Sequence, residues 1–595
     1  MKKVKSISLS IFLFVLLIVC ICAFNIKASA NVYSEYLNGK NLNSGLVYEP
    51  TLILDLKDLD ELNNDSLNYV TSVILELDEK CDVIVDEKNY EFSSFFNEYI
   101  KGKYVPIVNL NKDNYKAFIK YYKETYNIYD LMVMSSDLEV LGEIYSDSEM
   151  YILNSVYDYR GIILDSDRYS YWKLVSSCNK VGCNIIMANA NDSNLSVLTE
   201  YAQAMTKVVW GYGTTLIDAI NSVSSGCYGV SNTKTNNLVQ GISFFNLTGW
   251  HHPQYIAAHR GITKYCNENS LTSALASYSE GATHIEVDLQ VLADESIVLC
   301  HNSQTNYNSD KLGWYFIRVQ LENLKNAKLN DYNINYDETY CTLEELFEAM
   351  LKTDIIMILE LKFDNGSTEA VDELKCIENL KRICDSMPEV YGHFYCITFF
   401  APCAEKMKEL MPEIPLGYIG GARSTKEQLL GSMAWSKGGG HKEMYDYKGK
   451  IKFLRYYNIG LDESYVYANS SGEYYSNITA SFYLARGYVQ NTWTYEDTLN
   501  FKMKTNTATT NCANECAYLI KGFLDYDLVI TKEEFDNRKC ICKTYSYNGW
   551  VEEKECTIIV ISQSGSDMAK VILYYYEDGS NPYGLYSSVK NIIIN

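Results

Sequence analysis

Eight short apolar runs alternate with amphipathic stretches between residues 255 and 531, and this alternation constrains the fold more than any other feature of the chain. The runs are Tyr255–His259, His284–Leu289, Ile355–Lys362, Phe394–Phe399, Pro415–Ile419, Tyr457–Leu461, Gly487–Trp493 and Asp527–Thr531. Helix-like segments such as Leu343–Leu351 lie between them. Eight strands that alternate with helices predict an α/β fold of the (β/α)8 TIM-barrel type, whose active site lies at the C-terminal ends of the strands.

The region from residue 31 to 250 shows the same alternation. Its candidate strands are Leu52–Leu54, Val73–Leu77, Val105–Leu110, Leu131–Met134, Gly161–Leu164, Asn184–Ala188, Lys207–Trp210 and Gly226–Val230. Glu76-Leu77-Asp78 is similar to Glu286-Val287-Asp288 in the later region, which suggests a duplication. We therefore predict a second, degenerate TIM-like barrel N-terminal to the first. Because no Gly/Ser/Pro-rich linker separates the two near residues 248–250, we expect the barrels to pack against each other.

The N-terminus has the parts of a secretory signal peptide. Lys2, Lys3 and Lys5 precede an apolar run over residues 7–24, and Ala28-Ser29-Ala30 follows it. Cleavage after Ala30 would give a protein that is secreted or lies at the extracellular face of the cell envelope. The alternative is an uncleaved N-terminal anchor, because a run of this length approaches the lower limit for spanning a bilayer.

The pattern changes beyond residue 537, where Thr557–Ser562 and Lys570–Tyr576 alternate as strands do and Asp578-Gly579 forms a turn signal. The sequence thus predicts four regions. They are a signal peptide at 1–30, a non-catalytic barrel-like domain at 31–250, the main barrel at 251–537 and a small β-rich region at 538–595.

The net charge and the cysteine content limit which binding partners and which cellular compartment can be expected. Acidic residues outnumber basic ones by 75 to 52, for a net charge of −23, so a nucleic-acid partner is not expected. An anionic substrate would need a local cation. Eighteen cysteines occur, and those that could form local disulfides in an oxidising compartment are Cys178 with Cys183, Cys512 with Cys516, and the cluster Cys540, Cys542 and Cys556.

Acidic residues converge at the ends of two candidate strands of the main barrel. Glu286 and Asp288 are two residues apart, so both point to one face, while the apolar residues between and beside them point to the other. The run that ends in Glu360 and Lys362 adds a third carboxylate and a cation. Neighbouring buried carboxylates repel each other, and a divalent cation such as Mg²⁺ or Ca²⁺ resolves that conflict. The alternative is a salt-bridge cluster that lines the barrel mouth.

Several motifs in this region resemble the glycerophosphodiester phosphodiesterase family. They are His259-Arg260-Gly261, Glu268-Asn269-Ser270, Gly281-Ala282 with Glu286 and Asp288, His301, Thr342-Leu343-Glu344-Glu345, Leu359-Glu360-Leu361-Lys362, Trp493-Thr494 and Val529-Ile530-Thr531. By this resemblance, His259 and His301 would be the acid/base pair, and Glu286, Asp288 and Glu360 would hold Ca²⁺ or Mg²⁺. Arg260, Glu268, Lys362 and Trp493 would form the substrate-binding set.

The chain departs from the family pattern at three places. Asn302 follows the second histidine where Asp is usual, Ala293-Asp294-Glu295-Ser296 replaces the usual Lys-Asp-Gly turn, and Lys532 stands where the last strand usually offers Asp. In the first region no histidine precedes His251, and Asn109 takes the place of the third carboxylate, so we expect that region to be non-catalytic.

The resemblance implies a metal-dependent enzyme that hydrolyses glycerophosphodiesters to glycerol phosphate and an alcohol, and the signal-peptide features predict that it is secreted. Its partner would be a small phosphodiester or a lipid head group, with a cell-surface association left open. One alternative is a secreted or cell-surface binding protein whose barrel has lost activity. Another is a phospholipase that acts on larger phospholipid or teichoic-acid diesters.

Overall fold

A computed structural model gives the structure of the chain and describes residues 50–595 with gaps. The residues left out within that range are 65–69, 102, 126–130, 148, 151, 153, 244–254, 264–265, 280–281, 306–308, 312, 332–333, 363–374, 399–400, 420–458, 465–484, 488, 496–509, 514–520, 524–527, 547–550, 576–584 and 587–589. The predicted signal peptide at 1–30 lies outside the described residues. Within them, no helix has the length and apolar character needed to cross a membrane.

The first region is a closed barrel of eight parallel strands, as the sequence predicted. The strands are β1 (Thr51–Asp55), β2 (Ser72–Glu76), β3 (Val105–Asn109), β4 (Met132–Ser135), β5 (Asn154–Asp158), β6 (Ile185–Asn189), β7 (Val208–Gly213) and β8 (Gly229–Asn232). Each pairs with its neighbour in the chain, and β8 closes the ring on β1. Most side chains of the interior are buried and apolar, and Ser72 and Ser231 are among the buried polar ones.

The fifth strand was predicted at the wrong place. The apolar run Gly161–Leu164 follows the strand instead of forming it, and the more polar Asn154–Asp158 occupies the barrel position. In this loop the side chains of Ile162 and Ile163 are 44% and 87% exposed at the barrel mouth, whereas Leu164 is buried.

The second region is also a ring of eight parallel strands. They are β9 (Tyr255–His259), β10 (His284–Val291), β11 (Ile356–Leu361), β12 (Phe394–Thr398), β13 (Leu416–Ile419), β14 (Ile459–Ser464), β15 (Gln490–Tyr495) and β16 (Thr510–Ala513). The pairing of β9 with both β10 and β16 closes the ring. Strand β10 runs past the ring and forms an antiparallel hairpin with Ile297–Leu299.

The eighth strand of this ring differs from the sequence prediction. Thr510–Ala513 takes that position, whereas Leu528–Ile530, the strand that the structure describes within the predicted Asp527–Thr531, lies in the C-terminal sheet. That sheet comprises β17 (Lys521–Phe523), β18 (Leu528–Ile530), β19 (Lys539–Ser546), β20 (Val551–Ser564), β21 (Met568–Tyr575), β22 (Leu585–Tyr586) and β23 (Lys590–Ile594). The β-rich tail is present, and it also recruits two strands that precede residue 538.

Among the described residues, helices accompany the strands of both rings, and one last short helix belongs to the C-terminal region. They are α1 (Phe92–Phe95), α2 (Tyr115–Thr125), α3 (Leu138–Ser146), α4 (Arg168–Lys180), α5 (Leu195–Ala204), α6 (Leu216–Ser224), α7 (Thr235–Ser243), α8 (Leu271–Ser279), α9 (Leu321–Leu324), α10 (Leu343–Met350), α11 (Lys375–Ser386), α12 (Ala401–Leu410) and α13 (Lys532–Asn537). Capping boxes begin α6, α10 and α13, where Thr215, Thr342 and Thr531 accept from the third helical residue.

The two barrels share one continuous apolar core. Polar contacts join them at the N-terminal ends of strands: the Asn154 amide donates to the Arg486 carbonyl at 2.9 Å, and His284 Nε2 lies 3.0 Å from the Ala204 carbonyl. The Tyr201 hydroxyl donates to the Gly392 carbonyl at 2.9 Å. These contacts are at the ends of the strands opposite to the two C-terminal mouths. The described cysteines of the expected local disulfides, apart from Cys512, are buried free thiols.

Candidate functional site

Three buried carboxylates meet in the second barrel, on strands β10 and β11. Glu286 and Asp288 share the inner face of β10, and Asp288 lies in register with Glu360 on β11. Their ligand oxygens all lie within 4.8 Å of one another, and the three residues are 3%, 1% and 7% exposed. The strand alternation and the parallel register therefore produce the acidic cluster that the sequence predicted.

The protein alone does not fully compensate the negative charges of the three carboxylates. Burial, together with the charges of Asp288 and Glu360, holds the pKa of Glu286 well above its usual value. Burial and the Asp288 charge raise the pKa of Glu360 to about 8. Glu286 Oε1 is buried and has no hydrogen-bond partner. Hard oxygen ligands at this spacing suit a divalent cation, which would favour the ionised form of all three.

Cations from two loops flank the carboxylates. Arg260 follows β9 and donates through Nη1 to Glu268 Oε2 at 3.0 Å, while its Nε lies 3.5 Å from Asp288 Oδ2. Arg260 adopts a left-handed backbone, φ +58°, that directs its amide to Glu286 Oε2 at 2.9 Å. Lys362 Nζ lies 2.6 Å from Glu360 Oε1 and 3.6 Å from Asp288 Oδ1. Both cations thus border the cluster, as expected from the sequence.

The two histidines lie at the same mouth. His259 is the last residue of β9 and lies in register with Glu286, so its position at the strand end follows directly from the barrel topology. His301 follows the hairpin strand, and its Nδ1 is 3.1 Å from Asn302 Oδ1. Burial lowers the pKa of His301, although the charge of Asp288 opposes that shift.

Asn302 contacts the ring of His301 at the position where the family pattern usually has Asp. An amide oxygen can only accept, so Nδ1 of His301 carries the proton and Nε2 is left as the proton acceptor in the neutral ring. The side chain that replaces the usual Asp therefore still orients the ring. The interaction is weaker than with a carboxylate, because the amide carries no charge.

Two other residues of the family pattern, Trp493 and Lys532, are not placed at the mouth by a described side chain. Trp493 lies on β15 in register with Ser464, and only its backbone is described. Lys532 begins α13 in the C-terminal region, because the strand before it pairs with β23 and not with the barrel. Lys532 is therefore not the mouth residue that the family order suggested.

Asn269 is a site residue that the sequence motif contained but to which no role was given. Its Nδ2 donates to Asp288 Oδ2 at 2.8 Å, and its Oδ1 accepts from the Asp288 amide at 2.9 Å. Asn269 has φ +54°, a conformation that Asn tolerates better than most residues. The reciprocal pair fixes the Asp288 carboxylate. The position of Asn269 beside Glu268 in the motif was the available signal.

The first barrel lacks an equivalent cluster among its described residues. Glu76 ends β2, and the Asn109 amide donates to both of its oxygens at 3.0 and 2.9 Å. Asp78, the counterpart of Asp288 in the motif, lies beyond the strand and accepts from the amides of Lys80 and Asp82 in a turn. One shared sequence motif thus produces a metal-suited pair in one barrel and a turn in the other.

Comparison with known proteins agrees with the site in the second barrel. Residues 259–445 match the model of the glycerophosphoryl diester phosphodiesterase family. A glycerophosphodiester phosphodiesterase of Caldanaerobacter subterraneus is 28% identical over 112 residues, which are 18% of this chain and 44% of that protein. An uncharacterised protein of Bacillus subtilis, YqiK, is 27% identical over 132 residues, or 21% of this chain and 52% of that protein. The chain spans about half the length of these curated relatives.

Solved structures with related descriptions are similar to part of the chain. A phosphodiesterase of Oleispira antarctica, solved with sn-glycerol-3-phosphate, is 21% identical with a TM-score of 0.33. The alignment covers 44% of this chain and 93% of the Oleispira chain. A glycerophosphodiester phosphodiesterase of Thermotoga maritima is 17% identical with a TM-score of 0.32 and covers 45% of this chain and 97% of that one.

Proposed function

Because residues 259–445 carry a domain of the glycerophosphoryl diester phosphodiesterase family, we propose that the protein hydrolyses glycerophosphodiesters to glycerol phosphate and an alcohol. The observation that carries this proposal is the buried triad of Glu286, Asp288 and Glu360, bordered by two cations and two histidines. A phosphodiester needs its negative charge neutralised before a nucleophile can approach, and this mouth concentrates the groups that do so.

Glu286, Asp288 and Glu360 would hold a divalent cation, which when bound neutralises charge on the phosphodiester and fixes its orientation. Arg260 and Lys362 bind the remaining phosphate oxygens, and Glu268 holds the Arg260 guanidinium in place through the 3.0 Å bond described above. We propose that this cation is Ca²⁺ or Mg²⁺. Trp493 would contact the alcohol or glycerol part.

The proton transfers fall to the two histidines. The lowered pKa of His301 favours the neutral ring, and the contact with Asn302 leaves Nε2 as the acceptor, which supports His301 as the base that takes a proton from the nucleophile, either water or a glycerol hydroxyl. His259 would protonate the leaving alkoxide. Replacing either by Ala should lower kcat by at least ~10²-fold in a folded protein, the usual scale for loss of a general acid or base. Turnover close to the wild-type rate in either variant would remove that residue from the mechanism.

The direct test of the proposed activity is release of glycerol phosphate from glycerophosphocholine by the full chain. We expect release that stops after exhaustive treatment with EDTA and returns on addition of Ca²⁺ or Mg²⁺. Lysophospholipids and glycerol phosphate polymers, assayed in parallel, distinguish a small-diester enzyme from a phospholipase or a teichoic-acid hydrolase. No hydrolysis of any of these diesters would leave the alternative of a binding protein on the same barrel.

We also propose secretion or exposure at the cell surface, on the strength of the basic start, apolar run and Ala28-Ser29-Ala30 exit. The N-terminal sequence of protein recovered from the producing cells tests this proposal. Mature protein that begins at Asn31 supports cleavage, whereas an intact Met1 in the membrane fraction supports the anchored alternative.

A further inference from the structure

A network of charged side chains crosses the C-terminal mouth of the first barrel. Arg160, two residues beyond β5, donates to both oxygens of Asp158 at 2.7 and 2.8 Å. Its Nη1 donates to Asp55 Oδ2 at 3.1 Å. Asp55 ends β1, which lies opposite β5 in the ring of eight, so a single guanidinium spans the mouth. The ring of Tyr212 lies 4.3 Å from this guanidinium.

The charges of the network disfavour an anionic ligand. Lys57 Nζ contacts Asp55 Oδ1 at 3.1 Å and Glu76 Oε1 at 3.0 Å. Three carboxylates therefore surround two cations, and each cation is already held by two carboxylates. A phosphate would have to displace these carboxylates, whereas a hydroxyl that donates needs only a second lone pair on a carboxylate oxygen that already accepts one bond.

Unpartnered polar groups lie beneath Asp55 in the barrel interior. Ser72 and Ser231 both lie in register with Ile53, two residues before Asp55, so the pleat places all of them on the inner face. Trp210 is in register with Gly229, two residues before Ser231. The two hydroxyls and the Trp210 Nε1 are fully buried and have no hydrogen-bond partner. Such groups are costly unless something polar reaches them.

The rim of the mouth adds apolar surface. The loop that follows Arg160 presents Ile163 at 87% exposure, with Ile162 beside it at 44%. Carboxylates at the centre and exposed aliphatic side chains at the edge match a molecule that has many hydroxyls along its edge and an apolar face.

From these observations we propose that the mouth of the first barrel binds a neutral saccharide. Its hydroxyls would donate to Asp158 and Glu76, whose side chains are 15% and 29% exposed, and its apolar ring face would pack against Ile163. Ser72, Ser231 and Trp210 lie on the inner face below this mouth, and a hydroxymethyl or acetamido group directed along the barrel axis would approach them. The site is separate from the catalytic mouth, since the two barrels meet at their opposite ends.

Saturation-transfer NMR on the full chain tests this proposal. The probes are glucose, galactose, N-acetylglucosamine and their β-linked disaccharides, with inorganic phosphate and spermidine as charged competitors. We expect transfer to the ring protons of at least one neutral saccharide, lost in Asp158→Asn and retained in Glu124→Gln, which changes an exposed carboxylate in the last turn of α2, at the end of the barrel away from the mouth. Thermal melting of each variant checks its fold.

If Asp158→Asn does not fold, Glu76→Gln serves in its place, because the Glu76 side chain is 29% exposed and tolerates an isosteric change. Loss of transfer in either folded variant supports the site. The proposal is overturned by an absence of transfer to every saccharide, by transfer that persists in both mouth variants, or by displacement with phosphate or spermidine alone. Because the readout is binding, its outcome is independent of the phosphodiesterase assay.

Discussion

Asn269 shows how much of the site depends on a residue that positions one of the three carboxylates. It holds the side chain and the backbone amide of Asp288 at once, at 2.8 and 2.9 Å, and thereby aims one of the three carboxylates. Ligand-orienting contacts of this kind often account for 10- to 100-fold in metal affinity.

We therefore expect Asn269→Ala to raise the Ca²⁺ or Mg²⁺ concentration for half-maximal activity by at least about 10-fold, with kcat largely restored at saturating metal. Titration of activity against metal concentration measures this shift. Asn326→Ala, which changes an amide that caps an exposed turn, is the matched control. An unchanged metal requirement in Asn269→Ala would contradict its positioning role.

The three carboxylates of the site could be predicted from the sequence, because the geometry of β-strands determines where they lie. Alternation along β10 places Glu286 and Asp288 on one face, and parallel register brings Glu360 beside them. The reciprocal bond of Asn269 and the contact of Asn302 with His301 could not be predicted. Both depend on how loops fold over the mouth, and loop conformation leaves no periodic signal in the sequence.

At the scale of single elements, the hairpin that carries His301 has a strained turn. Glu295 occupies this turn at φ +68°, where the related pattern usually has Gly. A residue with Cβ in that conformation costs about 1–2 kcal/mol relative to an ordinary one. The hairpin still forms, with Leu292 and Glu295 joined by a backbone bond at 3.0 Å.

Glu295→Gly should therefore stabilise the protein. After the entropy that Gly adds to the unfolded chain is subtracted, we expect a gain of about 0.5–1 kcal/mol. A rise in the urea midpoint at constant m-value would show it. Glu79→Gly, in a turn where the residue has no positive φ, should instead lower the midpoint. A lower midpoint in both variants would rule out the strain at Glu295.

The two misplaced strands show where element prediction fails. Residues 528–530 are apolar enough for a barrel strand, but they pair with β23 near the C-terminus, and local sequence does not reveal such a distant partner. Thr510–Ala513 is a barrel strand without an apolar run. In the first barrel, Gly161–Leu164 is apolar but lies in the loop that follows β5, with Ile162 and Ile163 exposed. Hydrophobicity alone does not separate a strand from a partly exposed loop.

For the whole molecule, the interface between the barrels contains a buried histidine. His284 is fully buried at the start of β10, and its Nε2–H donates to the Ala204 carbonyl of the first barrel. Burial lowers the pKa of His284 from 6.5 to about 4. The unfolded chain thus binds the proton more readily. The contribution of the neutral ring is complete above pH 6.5 and is lost as the pH falls towards 4.

We expect the wild type to lose up to about 3 kcal/mol of unfolding free energy, relative to His284→Gln, between pH 7 and pH 4. Urea unfolding of both proteins at the two pH values gives this difference, and the comparison cancels the titration of carboxylates common to both. A difference that does not change with pH would mean that the ring is not held neutral between the barrels.

The central claim is that catalysis belongs to the second barrel, and the repeated acidic motif offers a matched pair to test it. Asp288→Asn removes a carboxylate from the buried triad, whereas Asp78→Asn changes the equivalent motif position, which only holds a turn.

Glycerophosphocholine hydrolysis by the two full-length variants is the most direct measurement. The account predicts a loss of at least ~10²-fold in Asp288→Asn that excess metal does not restore, on the scale of losing a charge-stabilising group at the reacting centre. It predicts a rate within about two-fold of wild type in Asp78→Asn, because surface turn substitutions have small effects. Full activity in Asp288→Asn, or its loss in a folded Asp78→Asn protein, would contradict the assignment.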